Sequence, residues 1–142
     1  MVLHPTQASP QVAETAFAFL IALGFTLDER WISGGESFRD GWRLGYCNPR
    51  VRVVVQYLDA QFEVHFTRAE TTAGYLAIDR SLFDRRSGYH GDMFSPEELQ
   101  TAVRRIAEDV RTHYGPILAG DDAEWGRIAR LVTTERPARG IP

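Results

Sequence analysis

The sequence lacks lysine altogether, so all 16 of its cationic residues are arginine, and Asn48 is its only asparagine. The lack of lysine and the scarcity of asparagine together indicate codon bias in a GC-rich genome. The alternatives are escape from lysine-directed modification and arginine-dependent binding, since the planar arginine fork suits bidentate contacts with carboxylates. Every ion pair with a permanently cationic side chain must therefore be an arginine pair.

Cysteine is also scarce, because Cys47 stands alone and no intramolecular disulfide can form, which suits a reducing cytoplasm. No segment is long and apolar enough to span a membrane. The apolar N-terminal segment contains Glu14 and has no basic segment before it, so it is not typical of a signal peptide. The net charge of -3 gives no reason to expect nucleic acid. We expect a cytoplasmic protein without membrane or nucleic-acid partners.

Motifs of the familiar enzyme classes are missing as well. The 4 histidines are scattered without metal-ligand spacing. No phosphate-binding glycine loop and no Gly-x-Ser-x-Gly elbow is present. Cys47 would need a basic partner to act as a nucleophile, and with Arg50 as its predicted neighbour it is interpreted as a structural thiol. The sequence thus predicts no catalytic residue, no metal and no cofactor, and it favours a protein that is not an enzyme.

The strongest pattern that is present lies in residues 25–67, which predict four consecutive antiparallel strands. Gly34-Gly35, Asn48-Pro49 and Asp59-Ala60 are interpreted as two-residue hairpin loops. Because side chains alternate along a strand, this register collects the large apolar residues on one face. The predicted cross-strand pairs are Trp31–Phe38, Leu27–Trp42, Leu44–Val53, Trp42–Val55, Val55–Val64, Tyr57–Phe62 and Val53–Phe66.

The opposite face of this sheet is predicted to be polar and mostly solvated, as antiparallel sheets allow. A fifth strand is predicted over residues 75–80, after a longer turn over residues 69–74, without a place in the strand order. The residues predicted on the polar face are Asp28, Arg30, Arg39, Arg43, Arg50, Arg52, Glu63 and His65, with Ile32, Val54 and Leu58 as apolar exceptions.

Helices are predicted before and after the sheet. The first begins at Ser9-Pro10 and runs to Leu23, where Gly24 stops it. Two C-terminal helices follow, and their boundary signals are Ser95 to Glu98, Gly115-Pro116 and Asp121 to Glu124. The fold class is therefore α+β: an N-terminal helix, a four- to five-stranded antiparallel meander, and two C-terminal helices packed on one sheet face. Residues 1–132 form a single domain, and residues 133–142 a disordered tail.

Two candidate functional sites are predicted. Glu29 lies opposite Asp40 on the aromatic face near Trp42, as an acid/base pair or a cation site at a pocket edge. The alternatives are that both acids are solvated, or that a bulge near Gly41 breaks the pairing. The second site is the loop over residues 81–93, which is long enough to bind a partner, although an ordinary surface loop is the alternative. Its candidate binding residues are Asp84, Arg85, Arg86, Tyr89, His90 and Asp92.

The order of residues 19–25, the sheet, and then residues 95–99 and 114–121 resembles that of small uncharacterised bacterial α+β proteins of the toxin-immunity type. The resemblance implies a module that binds and blocks a partner protein, and it carries over no catalytic residues. Two alternatives stay open. One is a small-molecule-binding domain or small hydrolase, with Glu29, Asp40 and Trp42 lining a pocket between sheet and helices. The other is a secretion chaperone or a structural subunit that forms a homodimer.

Overall fold

The computed structural model of the chain describes residues 5–32, 41–58, 61–75, 77–78 and 96–138. Within them the strands form one antiparallel sheet in the order β1-β2-β3-β4-β5, which confirms the predicted α+β fold with helices before and after a meander. The elements are α1 (Pro5–Ala16), α2 (Phe19–Ala22), β1 (Thr26–Ile32), β2 (Trp42–Cys47), β3 (Arg52–Leu58), β4 (Gln61–Arg68), β5 (Thr71–Gly74), α3 (Pro96–His113), α4 (Gly115–Leu118) and α5 (Asp122–Ala138).

The core lies between the helices and one face of the sheet. Alternate strand residues are buried, because successive side chains of a strand point to opposite faces. Burial of each large apolar side chain contributes roughly 1.5–3 kcal/mol. The sheet supplies Trp42, Leu44, Val53, Val55, Tyr57, Phe62, Val64 and Phe66, and α3 supplies Leu99, Val103, Ile106 and Val110.

The hairpin between β3 and β4 has the predicted register, with the pairs Val53–Phe66, Val55–Val64 and Tyr57–Phe62. The predicted register between β2 and β3 is wrong, since Leu44 pairs with Val55 and Trp42 pairs with Tyr57. The chain turns here over residues 48–51 rather than over two residues. The displacement is an even number of residues, so the side chains of both strands keep their predicted faces.

Asn48 explains the longer loop between β2 and β3. Its Oδ1 accepts hydrogen bonds from the backbone N–H groups of Arg50 and Val51, at 2.8 and 2.7 Å. Its Nδ2 donates to the carbonyl oxygen of Leu118 at 3.4 Å, which ties the loop to α4. A side chain that hydrogen-bonds the backbone following it stabilises a turn. The single asparagine of the chain therefore sets the length of this loop.

The first strand departs further from its predicted register. Leu27 pairs with Tyr46 and Glu29 pairs with Gly45, with a β-bulge between Leu27 and Glu29. The predicted pairing of Leu27 with Trp42 is wrong, and so is that of Glu29 with Asp40, which itself lies outside the described residues. This bulge is in β1, and the predicted turn at residues 34–35 lies outside the described residues.

The bulge reverses the faces of the residues that follow it in β1, because it adds one residue to the alternation. Arg30 pairs with Leu44 and forms an ion pair with Glu14 of α1, so it lies on the helix side and not on the polar face as predicted. Trp31 was expected opposite Phe38 on the apolar face. It pairs instead with Arg43, and its side chain is 47% exposed, so that prediction is wrong.

The N-terminal helix begins at Pro5, so its predicted start at Ser9-Pro10 is wrong and Pro10 lies inside α1. A turn at residues 17–18 separates α1 from α2, where one continuous helix was expected. This turn directs both Phe17 and Leu20 into the core, where both side chains are fully buried. Gly24 has a φ of 99° and follows the helix, as predicted for a C-terminal stop.

The fifth strand occupies Thr71–Gly74, within the segment that was predicted as a turn. Of the strand predicted over residues 75–80, residues 75, 77 and 78 are not in a strand, and residues 76, 79 and 80 lie outside the described residues. It pairs with β4 at the edge of the sheet. The connecting turn contains Ala69 with a φ of 54°, and alanine gives no sequence signal for such a turn. Tyr75 points into the core instead, where its hydroxyl donates to Asp109 Oδ2 of α3 at 2.6 Å.

The C-terminal helices lie close to their predicted positions. The helix α3 ends before Gly115-Pro116, and these two residues open the short α4. Asp121 caps α5 as predicted, since its Oδ2 accepts a hydrogen bond from the N–H of Glu124 at 3.0 Å. The backbone of α5 stays helical to Ala138, past residue 133 where the tail was predicted to begin. The extent of the domain stays a prediction.

Candidate functional site

The candidate site is the sheet face that points away from the core, which we call the open face. Its charged side chains are between 34% and 42% exposed, whereas the large side chains of the apolar face are almost fully buried. The predicted polar face is confirmed for its residues on β2, β3 and β4. The polar residues that contact one another on the open face are Asp28, Glu29, Arg43, Arg52, Gln56, Glu63 and His65.

Arg52 of β3 organises one half of the open face. Its Nη1 donates to both carboxylate oxygens of Asp28, at 2.9 and 2.8 Å, and its Nη2 donates to Glu29 Oε1 at 2.9 Å. The hydrogen bond from Arg52 lowers the pKa of Asp28 below its ordinary value, and the same contact raises the pKa of Arg52. The bulge in β1 makes this possible, because it places two successive acids within reach of one guanidinium.

Cys47 lies at the end of this group, with its Sγ donating to Asp28 Oδ2 at 3.4 Å. The hydrogen bond to Asp28 is the main cause that raises the pKa of the thiol, because it favours the protonated form. A thiol with a raised pKa is a poor nucleophile at neutral pH. The interpretation of Cys47 as a structural thiol agrees with this geometry.

Gly45 of β2 makes room for the Arg52 side chain. A Cβ atom at this position would lie 2.3 Å from Arg52 Nη2 and 3.0 Å from Glu29 Oε1. Arg52 can therefore reach across β2, from β3 to β1, only over a residue without a side chain. Glycine inside a strand is the sequence signal for such a close approach. Sequence reasoning placed Gly45 in a strand but assigned it no role.

Arg43 extends the network across the rest of the sheet. Its Nη1 lies 3.7 Å from Glu29 Oε2, and its Nε donates to Gln56 Oε1 at 3.1 Å. Gln56 Nε2 donates in turn to Glu63 Oε2 at 3.2 Å, and the same oxygen lies 2.8 Å from His65 Nε2. The polar contacts thus run continuously over four strands. Gln56 is the link that sequence reasoning missed, and only its alternation with buried Val55 and Tyr57 signalled its face.

Glu29 and Trp42, two of the three residues of the predicted pocket, are not brought together. Trp42 is fully buried in the core, with its ring centroid 6.4 Å from Tyr57 and 6.0 Å from Phe62. Glu29 lies on the opposite face of the sheet, bound to Arg52, so Trp42 and Glu29 cannot line one pocket. The remaining predicted site residues lie outside the described residues: Asp40, Asp84, Arg85, Arg86, Tyr89, His90 and Asp92.

Metal-binding clusters, membrane-spanning helices and similarity to known proteins are the other features that could indicate a function. In the part of the chain that the structure describes, no three histidine, cysteine, aspartate or glutamate side chains gather closely enough to bind a metal ion. No helix there has both the length and the apolar character that crossing a bilayer requires. No protein-family model, curated protein or solved structure matches the chain. The function is therefore inferred from the open face itself.

We expect Arg52→Gln to raise the pKa of the Asp28 carboxyl towards its usual 3.8, because the side chain that holds it down is removed. The folded-state pKa of Asp28 is depressed, so its ion pair stabilises the fold above the unfolded pKa. That contribution is lost as the pH falls through the folded pKa. A carbon-detected NMR titration of the carboxyl would measure the pKa of Asp28 in the wild type and in Arg52→Gln.

The matched control for this titration is Arg127→Gln, which removes an arginine paired with Glu124 on α5 and should leave Asp28 unchanged. If Asp28 titrates at the same pH with and without Arg52, the two side chains are not paired in solution, and the arrangement of the open face would be incorrect.

Proposed function

We propose that this protein is a non-enzymatic protein-binding module that contacts its partner through the open face. The observation that carries the proposal is the network of ion pairs and hydrogen bonds over four strands, which keeps long side chains in fixed positions. Side chains that are already ordered lose little conformational entropy when a partner binds. A broad, half-exposed polar surface of this kind suits a protein partner better than a small ligand, which needs a concave site.

Trp31 adds an anchor to this surface. It lies on the same face as its strand partner Arg43, and nearly half of its side chain is exposed. Tryptophan and arginine are the residues that most often dominate the binding energy of protein interfaces. The combination supports Trp31 and Arg43 as the centre of the contact.

The hydrogen bonds of Arg52 indicate which kind of side chain the partner would place against it. Both of its terminal nitrogens already donate to carboxylates of β1, and the flat side of the guanidinium is left for a partner to contact. Aromatic rings stack on that side of an arginine. We therefore expect a partner surface that carries an aromatic side chain and polar groups around it.

The resemblance to immunity-type proteins supports a toxin or effector as the partner. An inhibitor of this kind needs a preformed contact surface and no catalytic residues, which agrees with the arrangement of the open face. The predicted loop over residues 81–93 lies outside the described residues and stays a second candidate contact, with Tyr89 and Arg86 as its first residues to test.

Affinity capture from a native cell lysate, with the tagged chain as bait, should recover one stoichiometric partner. With that partner purified, we expect Trp31→Ala and Arg43→Ala each to weaken binding by at least about tenfold, since interface hot spots cost about 2 kcal/mol or more. The matched control is Arg111→Ala, which removes an exposed arginine paired with Glu108 on α3 and should not change the affinity.

Calorimetry on the wild type and the three variants would give the affinities. A partner that binds both open-face variants as tightly as the wild type would show that the contact surface lies elsewhere. Failure of a folded, abundant bait to recover any stoichiometric partner would contradict the proposed function itself.

A further inference from the structure

A depression between α1 and α3 lies on the helix side of the molecule, away from the open face. It has a volume of about 390 Å³ and is lined by Gln11, Val12, Thr15, Ala16 and Arg104. Binding sites for small molecules occupy roughly 300–1,000 Å³ and combine an apolar lining with a few polar groups. The depression has both the volume and this kind of lining.

The depression forms where α1 ends. Thr15 and Ala16 are small residues in the last turn of α1, and the next residue, Phe17, is turned into the core. Val12 lies one turn before Ala16 on the same side of the helix, and both are half-buried, so they form an apolar floor. Gln11 and Thr15 are related by the same spacing, and they place an amide and a hydroxyl at one rim.

Arg104 of α3 supplies a cation at the depression, and it has no ion-pair partner among residues 96–138 or the other described segments. The acids that could neutralise it are engaged elsewhere. Glu14 of α1 pairs with Arg30, and Glu108, one helical turn after Arg104, pairs with Arg111. An unpaired guanidinium next to an apolar floor is complementary to an anion that has an apolar body.

We propose that this depression binds a small monocarboxylate with a short apolar tail. The carboxylate would accept two parallel hydrogen bonds from Arg104, which is the geometry that the guanidinium fork favours. The tail would cover Val12 and Ala16, and the polar groups of Gln11 and Thr15 would contact the rim of the ligand. One guanidinium matches the single charge of a carboxylate better than the two charges of a phosphate group.

The test uses hexanoate as the probe, titrated into the full chain and followed by two-dimensional NMR. We expect saturable shifts at the five lining residues, and weaker binding by at least about tenfold in Arg104→Gln, since a charge-assisted hydrogen bond is lost. Arg105→Gln is the matched control, because Arg105 is the exposed neighbour on α3 and does not line the depression. Hexanamide, which has the same tail without the charge, should bind as weakly as hexanoate binds Arg104→Gln.

A second variant, Ala16→Leu, fills the floor and should abolish the saturable shifts while Arg104 remains in place. Equal affinities of hexanoate for the wild type and Arg104→Gln would overturn the proposal. So would shifts that do not saturate, or that centre on residues outside the depression. None of these results depends on a partner protein, so failure here would leave the proposed function of the open face standing.

Discussion

Trp42→Ala is expected to lower the free energy of unfolding by about 3–5 kcal/mol, because a fully buried tryptophan leaves a cavity that its neighbours cannot fill. The ring packs against Tyr57 and Phe62, on the strands β3 and β4 that follow it in the sheet. Its loss therefore removes contacts that join three strands at once. Urea denaturation, with the slope compared between variants, would measure the change.

Trp31→Ala is the matched control, since it removes the same side chain from a site where 47% of it is exposed. We expect it to cost less than about 1 kcal/mol. Similar losses at both positions would mean that Trp31 is buried after all, which would restore the register predicted from the sequence. A large difference supports the bulge in β1 that turns Trp31 away from the core.

Trp42 and Trp31 show where the alternation of apolar residues predicts the buried face of the sheet correctly and where it does not. The face of Trp42, Leu44, Val53 and Val55 followed from alternation alone, and it was unaffected by an error of two residues in the register between β2 and β3. An even shift moves the partners but not the faces. A bulge adds one residue, so the side chains that follow it point to the opposite face. No residue type in β1 signals the position of this bulge.

The open face was therefore predictable in part. Arg43, Arg52, Glu63 and His65 alternate with large apolar residues, so their common face was visible in the sequence. Their connection was not, because it depends on Glu29, which the bulge transfers to that face. A contact between β1 and β3 also requires the gap over β2 that Gly45 provides. Contacts of this kind between non-adjacent strands cannot be derived from pairwise register.

Some helix boundaries could likewise be predicted from local sequence, and others could not. Asp121 caps α5 through a local hydrogen bond to Glu124, so four residues of sequence contain the whole signal. The Ser9-Pro10 signal has the same form, yet α1 begins at Pro5 and passes through Pro10. The helix α1 packs against α3, and tertiary contacts can override a local preference.

Gly41→Ala is expected to lower the free energy of unfolding by about 3 kcal/mol or more, the upper part of the range for overpacked sites. A Cβ atom at Gly41 would lie 1.8 Å from the carbonyl oxygen of Tyr57 and 2.9 Å from Leu58 Cδ2. The first of these is a backbone atom in a strand that is paired on both sides, so it cannot move aside as the end of a side chain can. Either the start of β2 must separate from the end of β3, or the clash remains.

Gly126→Ala provides the control, with the opposite expected sign. Gly126 lies inside α5, and a Cβ atom there would meet only Arg130 Nη1 at 3.7 Å, an ordinary contact. Alanine in a helix interior should therefore stabilise the protein by about 0.5–1 kcal/mol. Thermal and urea unfolding of the two variants would measure the difference. If Gly41→Ala unfolds like the wild type, Gly41 does not lie against Tyr57, and the hairpin between β2 and β3 must have another register.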